Sequence, residues 1–444
     1  MSSRKLTDVR DLVANGVLER PMDGNHGEIH PKSVDFKTSG IPFIMASDLI
    51  EGRVDLEHCN FLDPIQAKNL RKGFSRTGDV LLSHKATLGR TALVGELRSS
   101  YIMLTPQVTY YRVLDDNVLD RRYLRYYFES RDFQNALTAL GGGGSTRAYV
   151  GITEQLRLPV VVLPILEQRA IASILGALDD KIELNRKMSA TLEAMAQALF
   201  KSWFIDFEPV RAKAERRHTS LSAEIDALFP AALEIADHGL LPSGWHWLAA
   251  SQVLDVNPPR SLSGVKIAPY FDMASVPTQG FAVRNVIDRE VSSGSRFANG
   301  DTLLARITPC LENGKTTFVD FLNDKVAWGS TEFIVMRPRK PLPAEYGYLL
   351  ARNMKFREFV IGKMTGSSGR QRVPVDALDS YFLALPSDAV AKAFGNVVKP
   401  LFKRITHANL ECRTLAAIRD ALLPKLISGE LRVSEAQPIL EKSA

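Results

Sequence analysis

The chain is poor in the residues that build small or secreted folds. Its 444 residues include three cysteines, Cys59, Cys310 and Cys412, and none forms a CxxC pair. An odd, scattered set excludes a disulfide framework. With no apolar leader after Met1 it fits a reducing cytosol, so a cytoplasmic location is expected. Histidines number eight, and only His26 and His30 sit at a suggestive spacing. Gly24, Gly27 and Pro31 deny them the helix that would align them as ligands, so no metal site is expected. No stretch approaches about 18 consecutive apolar residues, which excludes a membrane-spanning helix. An excess of one charge is lacking too. Lys and Arg total 56 against 50 Asp and Glu, a formal net charge of +6, which permits a polyanionic partner without requiring one. What remains is the balance of a globular protein, 45% hydrophobic and 24% charged, long enough for two or three domains.

The most informative feature present is a repeat. Gly78-Asp79-Val80-Leu81-Leu82 leads through Lys85 and Thr87 to Gly89-Arg90. Gly300-Asp301-Thr302-Leu303-Leu304 leads through Arg306 and Thr308 to Gly314-Lys315. A helix-like stretch then opens at Tyr123-Leu124 and ends at Gly141–Gly144, Ser145, Thr146, Arg147. Its counterpart opens at Tyr348-Leu349 and ends at Gly366, Ser367, Ser368, Gly369, Arg370. Each cluster is followed by an extended segment closing on Leu-Pro, Leu163-Pro164 and Leu385-Pro386, and then by a long helical run. Four features in one order, at an offset of roughly 222 residues, point to duplication.

The helical runs carry the clearest period. Ile171, Leu175, Leu178, Ile182, Asn185, Ser189, Leu192, Ala196, Leu199 and Trp203 step by alternating fours and threes, the seam of a coiled coil. Val398, Leu401, Ile405, Ala408, Cys412 and Leu415 form a second seam, in which Pro400 and Pro424 predict a kink near the start and an ending or kink near the finish. Asn185 on the first seam either fixes register or meets solvent at its edge. Leu184, Met188 and Met195 widen the apolar stripe beyond what one partner helix needs, which marks them as a docking face for another protein. The segments before the helices hold short β-branched and aromatic runs broken by Gly, Pro, Asn and Asp.

These patterns predict an α+β fold: two similar mixed α/β modules, residues 1–163 and 245–385, separated by two long antiparallel coiled-coil helices, 164–208 and 386–431. A linker with one short helix (209–244) and a frayed tail (432–444) complete a pseudo-twofold internal repeat. Twin modules on a stiff spacer suit the reading of two tracts of double-stranded DNA.

The residues also resemble a known family, the specificity (S) subunits of type I restriction–modification systems. The resemblance lies in Leu163-Pro164-Ile165-Leu166-Glu167-Gln168-Arg169, Leu178-Asp179-Asp180-Lys181-Ile182-Glu183-Leu184-Asn185 and Leu199-Phe200-Lys201-Ser202-Trp203-Phe204. It continues in Leu422-Leu423-Pro424-Lys425-Leu426-Ile427-Ser428-Gly429-Glu430-Leu431, and in Ala305 to Lys315 with Gly329-Ser330-Thr331-Glu332-Phe333. It implies that the modules are target-recognition domains, each reading one half of a split DNA site. It also implies that the helices set the spacer and dock methyltransferase (modification) subunits, and that restriction (translocase–nuclease) subunits join the larger complex.

Cationic side chains at loop tips suit phosphates and guanine edges. The candidate DNA contacts are therefore Lys85, Thr87, Arg90, Arg306, Thr308 and Lys315 on the hairpins, with Ser145, Thr146, Arg147, Ser367, Ser368, Arg370, Gln371 and Arg372 in the Gly-rich loops. In the linker, Arg211, Lys213, Arg216 and Arg217 either track phosphates or form a charged solvated loop. Catalytic lookalikes fail on context. Asn257-Pro258-Pro259-Arg260 resembles an amino-methyltransferase motif but places Arg260 where the base-stacking aromatic belongs. Gly314-Lys315-Thr316 ends like a P-loop, yet Pro309 occupies the first glycine position. No cofactor and no catalytic residue are expected. The rival readings are a coiled-coil protein-interaction scaffold without DNA readout and a self-sufficient methyltransferase or nuclease.

Overall fold

The computed structural model describes residues 5–142, 148–367 and 369–436. The chain divides into two compact units, one running to Lys181 and resuming at Thr414, the other Ile182–Arg413. Each takes part of both long helices.

The first unit holds two sheets. One has the strand order Asn60–Leu62, Ile41–Ile44, Ile102–Leu104, Phe74–Ser75, the middle pair parallel and the outer pairs antiparallel. The other runs Met22–Asp23, Val108–Tyr111, Val80–Lys85, Thr87–Leu93, and is extended by Gly52–Val54 and Leu49–Ile50. Its central strands are buried without alternation, including Ser83, His84 and Thr109, because both faces are covered. Helix Arg121–Glu129 covers one face. Asp120 caps it by accepting from the amides of Arg122 and Tyr123, and Tyr123, Leu124, Tyr127 and Phe128 are buried beneath it. A two-stranded ribbon, Lys5–Asp8 against Pro159–Val162, leads into the long helix Ile165–Phe200.

The second unit repeats this plan. Strands Ile287–Glu290, Ile267–Phe271, Ala327–Gly329 and Ser295–Phe297 form a sheet with the same parallel middle pair. Strands Leu254–Val256, Phe333–Pro338, Thr302–Ala305 and Thr316–Phe318 form the other. Helix Glu345–Arg352 lies where Arg121–Glu129 lies, and the ribbon His246–Ala249 with Phe382–Leu385 leads into helix Asp388–Ser428. The duplicated, mixed α/β architecture with two long helices is thus present.

The Gly-Asp pairs show why the repeat is legible. Gly78 and Gly300 sit at φ +88° and +85°, where a side chain is strained. The adjoining Asp79 and Asp301 are buried, and each takes a guanidinium from the neighbouring strand, Arg112 and Arg337 respectively. Asp301 also receives Arg260 through both oxygens, which accounts for an arginine after Asn257-Pro258-Pro259.

The helices pack antiparallel within each unit. In the second, Cys412 lies against Ile182, Asn185 Nδ2 donates to Glu411 Oε2 at 2.8 Å, and Phe394 lies against Trp203 and Phe204. In the first, Arg419 reaches Asp179 at 2.8 Å. Asn185 is therefore a seam residue, 2% exposed, rather than a solvent-edge one. Helix Asp388–Ser428 continues through Pro400 and past Pro424 to end four residues later, so neither proline itself ends it. Both prolines lie on the exposed side, as do Asn396 and Asp420, whose carbonyls lose their partner and face water instead. The linker holds two short helices, Glu208–Ala214 and Ala223–Asp226, and a hairpin, Leu233–Ala236 with Gly239–Pro242, more than the single helix expected. Its Arg211, Lys213 and Arg217 bond within the linker and to Asp206, the pattern of a self-satisfied loop.

Candidate nucleic-acid interface

The hairpin loops and the segments after the Gly-rich loops are more than 50 residues apart in sequence, yet the fold zips them together in both units. In the first, Ala86 N–H donates to Ala148 O at 3.0 Å and Val150 N–H to His84 O at 3.0 Å. In the second, Thr308 N–H donates to Gln371 O at 3.0 Å and Val373 N–H to Arg306 O at 2.9 Å. The side of each loop is closed by the turn before the next strand, through His84 N–H to Gln107 O at 2.9 Å and Arg306 N–H to Glu332 O at 3.0 Å. The isolated bridges Lys85–Tyr149 and Ile307–Arg372 complete the match.

This pairing corrects the alignment of the repeat by one residue. Arg306 stands where His84 stands, Ile307 where Lys85 stands and Thr308 where Ala86 stands. The strand irregularity between Leu82 and His84 hides that register. Since side chains alternate faces along a strand, a slip of one exchanges inward for outward.

Among the candidate contacts, Lys85, Thr87, Ser367, Arg370 and Arg372 are exposed. Lys85 Nζ lies over the Tyr149 ring, 5.9 Å from its centroid. Ala86 between Lys85 and Thr87 has φ +65°, a strained tip. Arg372 is paired with Glu332 at 2.8 Å, and Gln371 and Thr308 are joined through their backbones. Arg90 is exposed as well, but it and Lys315 are each tied to a backbone carbonyl. Arg90 Nη1 donates to Ala46 O at 3.1 Å and Lys315 Nζ to Met273 O at 2.6 Å, equivalent carbonyls in the two units. That shared tie between hairpin and second sheet explains why a cation recurs there. Ser145, Thr146, Arg147 and Ser368 lie outside the described residues.

Met45, Thr105 and Gln107, which sequence reasoning passed over, complete the first loop cluster. His26, His30, Met45, Lys85, Thr105 and Gln107 line a cavity of about 330 Å³. His26 and Lys72 both contact the buried Asp23, at 2.6 and 2.5 Å. Burial pushes the Asp23 carboxyl up, but the hydrogen bonds from Lys72 and His26 outweigh it and hold the pKa below the usual range. Fully buried His84 faces Val150 O through Nδ1 at 2.9 Å. Desolvation lowers the pKa of both His84 and His30, so both imidazoles are neutral at neutral pH. The proton assigned to His84 Nδ1 leaves Nε2 as an acceptor.

On the helices, Leu184 and Met195 are 62% and 49% exposed and Met188 is half-buried. No helix among the described residues is long and apolar enough to cross a membrane, and no group of three or more His, Cys, Asp or Glu among them could hold a metal ion.

Residues 24–194 match the family model described as the type I restriction modification DNA specificity domain. The chain is 24% identical over 371 residues to the type I restriction enzyme MjaIX specificity subunit of Methanocaldococcus jannaschii, covering 81% of this chain and 78% of that one. It is 25% identical over 310 residues to the HindI specificity subunit of Haemophilus influenzae, covering 60% and 67%. The crystal structure of the type I restriction–modification system S subunit from M. genitalium shares its fold, with a TM-score of 0.53, 15% identity and 96% of each chain covered.

Proposed function

We propose that this chain, which belongs to the specificity-subunit family of type I restriction–modification systems, binds a bipartite DNA target with one unit per half-site and performs no chemistry itself. The observation that carries this reading is the duplication of a whole loop cluster. The hairpin, the segment after the Gly-rich connection and the strand turn meet through the same backbone hydrogen bonds in each unit. A protein with one ligand has no need to build the same three-segment surface twice. Lys85, Thr87, Arg370 and Arg372 offer donors on those surfaces, for phosphates that set position and base edges that set sequence. Arg90 and Lys315 act as positioning residues that hold the hairpins.

The partners on this reading are double-stranded DNA, the modification subunits of a methyltransferase and, in the complete system, restriction subunits. The exposed stripe of Leu184, Met188 and Met195 is the docking face for a modification subunit, because large apolar side chains left in water otherwise invite aggregation. Filter binding of the full chain to random duplex pools at several salt concentrations tests the core of the proposal. A DNA reader enriches particular sequences above a background that falls steeply with salt. A scaffold without DNA readout gives no enrichment at any salt.

A further inference from the structure

The two loop clusters can be superposed position by position from their backbone bonds alone. His84 matches Arg306, and Tyr149 matches Arg372, through the bridges and zipped amides. Strand pairing places Val108 opposite Ser83 and Phe333 opposite Ala305, so Gln107 matches Glu332 and Thr105 matches Ser330. The frame is common, whereas the side chains mounted on it differ in kind.

In the first unit the four are an imidazole held neutral, a phenol, a carboxamide and a hydroxyl. Among the described residues, His84 Nε2 and Thr105 Oγ1 are buried atoms with no hydrogen-bond partner. His84 is wholly buried and Thr105 only 4% exposed. Thr105 and Gln107 line the cavity described above, and His84 Nε2 lies 4.0 Å from the Asp23 carboxylate that binds the lining residue His26. Burying unpaired polar atoms is costly unless a ligand satisfies them. In the second unit the four are two guanidinium groups, a carboxylate and a hydroxyl. Glu332 holds Arg372 by both oxygens, at 2.9 and 3.0 Å from Nε. Ser330 Oγ accepts from Glu332 N–H at 3.1 Å, and Arg306 Nε is buried without a partner.

We infer that positions 107 and 149 in one unit, and 332 and 372 in the other, carry the base-reading side chains, that the buried positions 84 and 105, and the half-buried 306 and 330, lie behind them as supports, and that the two half-sites differ in the way these side chains differ. The inference rests on the DNA-reading proposal above and adds which residues read and what they select. A carboxamide such as Gln107 matches the donor and acceptor of adenine in the major groove. Arginine matches the two acceptors of guanine and glutamate accepts from cytosine, so the Arg372–Glu332 pair fits a G·C pair across both strands. The first unit thus selects an A·T pair at the position facing Gln107, and the second a G·C pair at the position facing Arg372 and Glu332. Arg90 and Lys315, though cationic, fall outside the set because their heads are tied to Ala46 and Met273.

The test is selection of bound duplexes from a random library by the full chain in complex with its modification subunits, repeated for Gln107→Ala, Glu332→Gln and Arg372→Ala. Each variant should relax selection about tenfold or more at one position of a single half-site and leave the other half-site as in the parent. Arg372→Ala and Glu332→Gln should act on the same position. Retained selection at the remaining positions of the same half-site shows that the substituted unit is folded. Unchanged selection at every position in all three variants overturns the assignment of these residues while leaving DNA reading intact. A parent complex that enriches no sequence overturns the DNA-reading proposal itself.

Discussion

The two units share a core scaffold, with Gly52–Val54 and Leu49–Ile50 extending one sheet of the first only, and they differ where polar side chains meet. Within the first unit the helix seam is held by charge. Asp179, 8% exposed, receives Arg125, Arg419 and the Tyr126 hydroxyl. Within the second it is held by the bond from Asn185 to Glu411 and by an aromatic cluster of Phe200, Trp203, Phe204 and Phe394. The matched loop positions diverge likewise: 84, 105, 107 and 149 carry neutral side chains, whereas 306, 332 and 372 carry charged ones. A duplicated backbone evidently fixes where side chains sit, and leaves each copy free to choose what they do.

The largest expected effect separates the two seams. Asp179→Ala removes the shared acceptor of Arg125, Arg419 and Tyr126, leaves the Arg125 guanidinium, 7% exposed, with Glu129 as its remaining ion partner, and should cost about 3 kcal/mol in denaturant unfolding, the low end for breaking a buried pair. Asn185→Ala removes a neutral donor and should cost about 1–3 kcal/mol. Equal losses would show that the seams are energetically alike after all. On binding, Arg370→Ala should weaken specific DNA affinity by about 1–3 kcal/mol at fixed salt, measured against the same duplexes as the parent. Unchanged affinity would remove Arg370 from the interface.

Acid should loosen the first unit more than the second at about pH 6, although burial raises the Asp48 carboxyl in the first as well. In the first, His30 and His84 are held below the ordinary value of 6.5 by burial. The native state then binds fewer protons than the unfolded one, and stability falls as pH drops below about 6.5. In the second, burial raises the carboxyls of Asp320 and Glu345 above their ordinary values of 3.8 and 4.5. There the native state binds more protons, so stability lost at neutral pH returns on acidification toward those values. Hydrogen exchange corrected for intrinsic rates, at pH 7 and pH 5.5, should show the first unit loosening and the second holding. Loosening of the second unit first would contradict this. The smallest effect concerns the helix stripe: Leu184→Ser with Met195→Ser should change unfolding free energy by no more than about 0.5 kcal/mol, because both side chains are exposed. The same variant should be less prone to self-association in sedimentation and should lose its modification-subunit partner.

Much of the architecture was legible because it is periodic or punctuated. The seam from Ile171 to Trp203 follows the 3.5-residue repeat, and Gly78-Asp79 and Gly300-Asp301 mark turns that only glycine fills comfortably and only a buried carboxylate anchors. The prolines do not end the helix, and sidedness explains why: Pro400 and Pro424 are exposed, where an unpaired carbonyl costs little. The reading loops were half legible. Recurring cations drew attention to Arg90 and Lys315, whose recurrence reflects a shared structural tie. Thr105 and Gln107 carry no motif. Extending the repeat past the hairpin, so that Thr105-Pro106-Gln107 falls on Ser330-Thr331-Glu332, was the signal that could have found them.

The central claim is that one polypeptide carries two equivalent readers with unlike chemistry. Its most direct test is the set of duplexes retained from a random library by the complex of the full chain with its modification subunits. The account predicts two short conserved tracts of different sequence, at one fixed separation, with unselected base pairs between them. A single contiguous tract, or two tracts at freely varying separation, would contradict it.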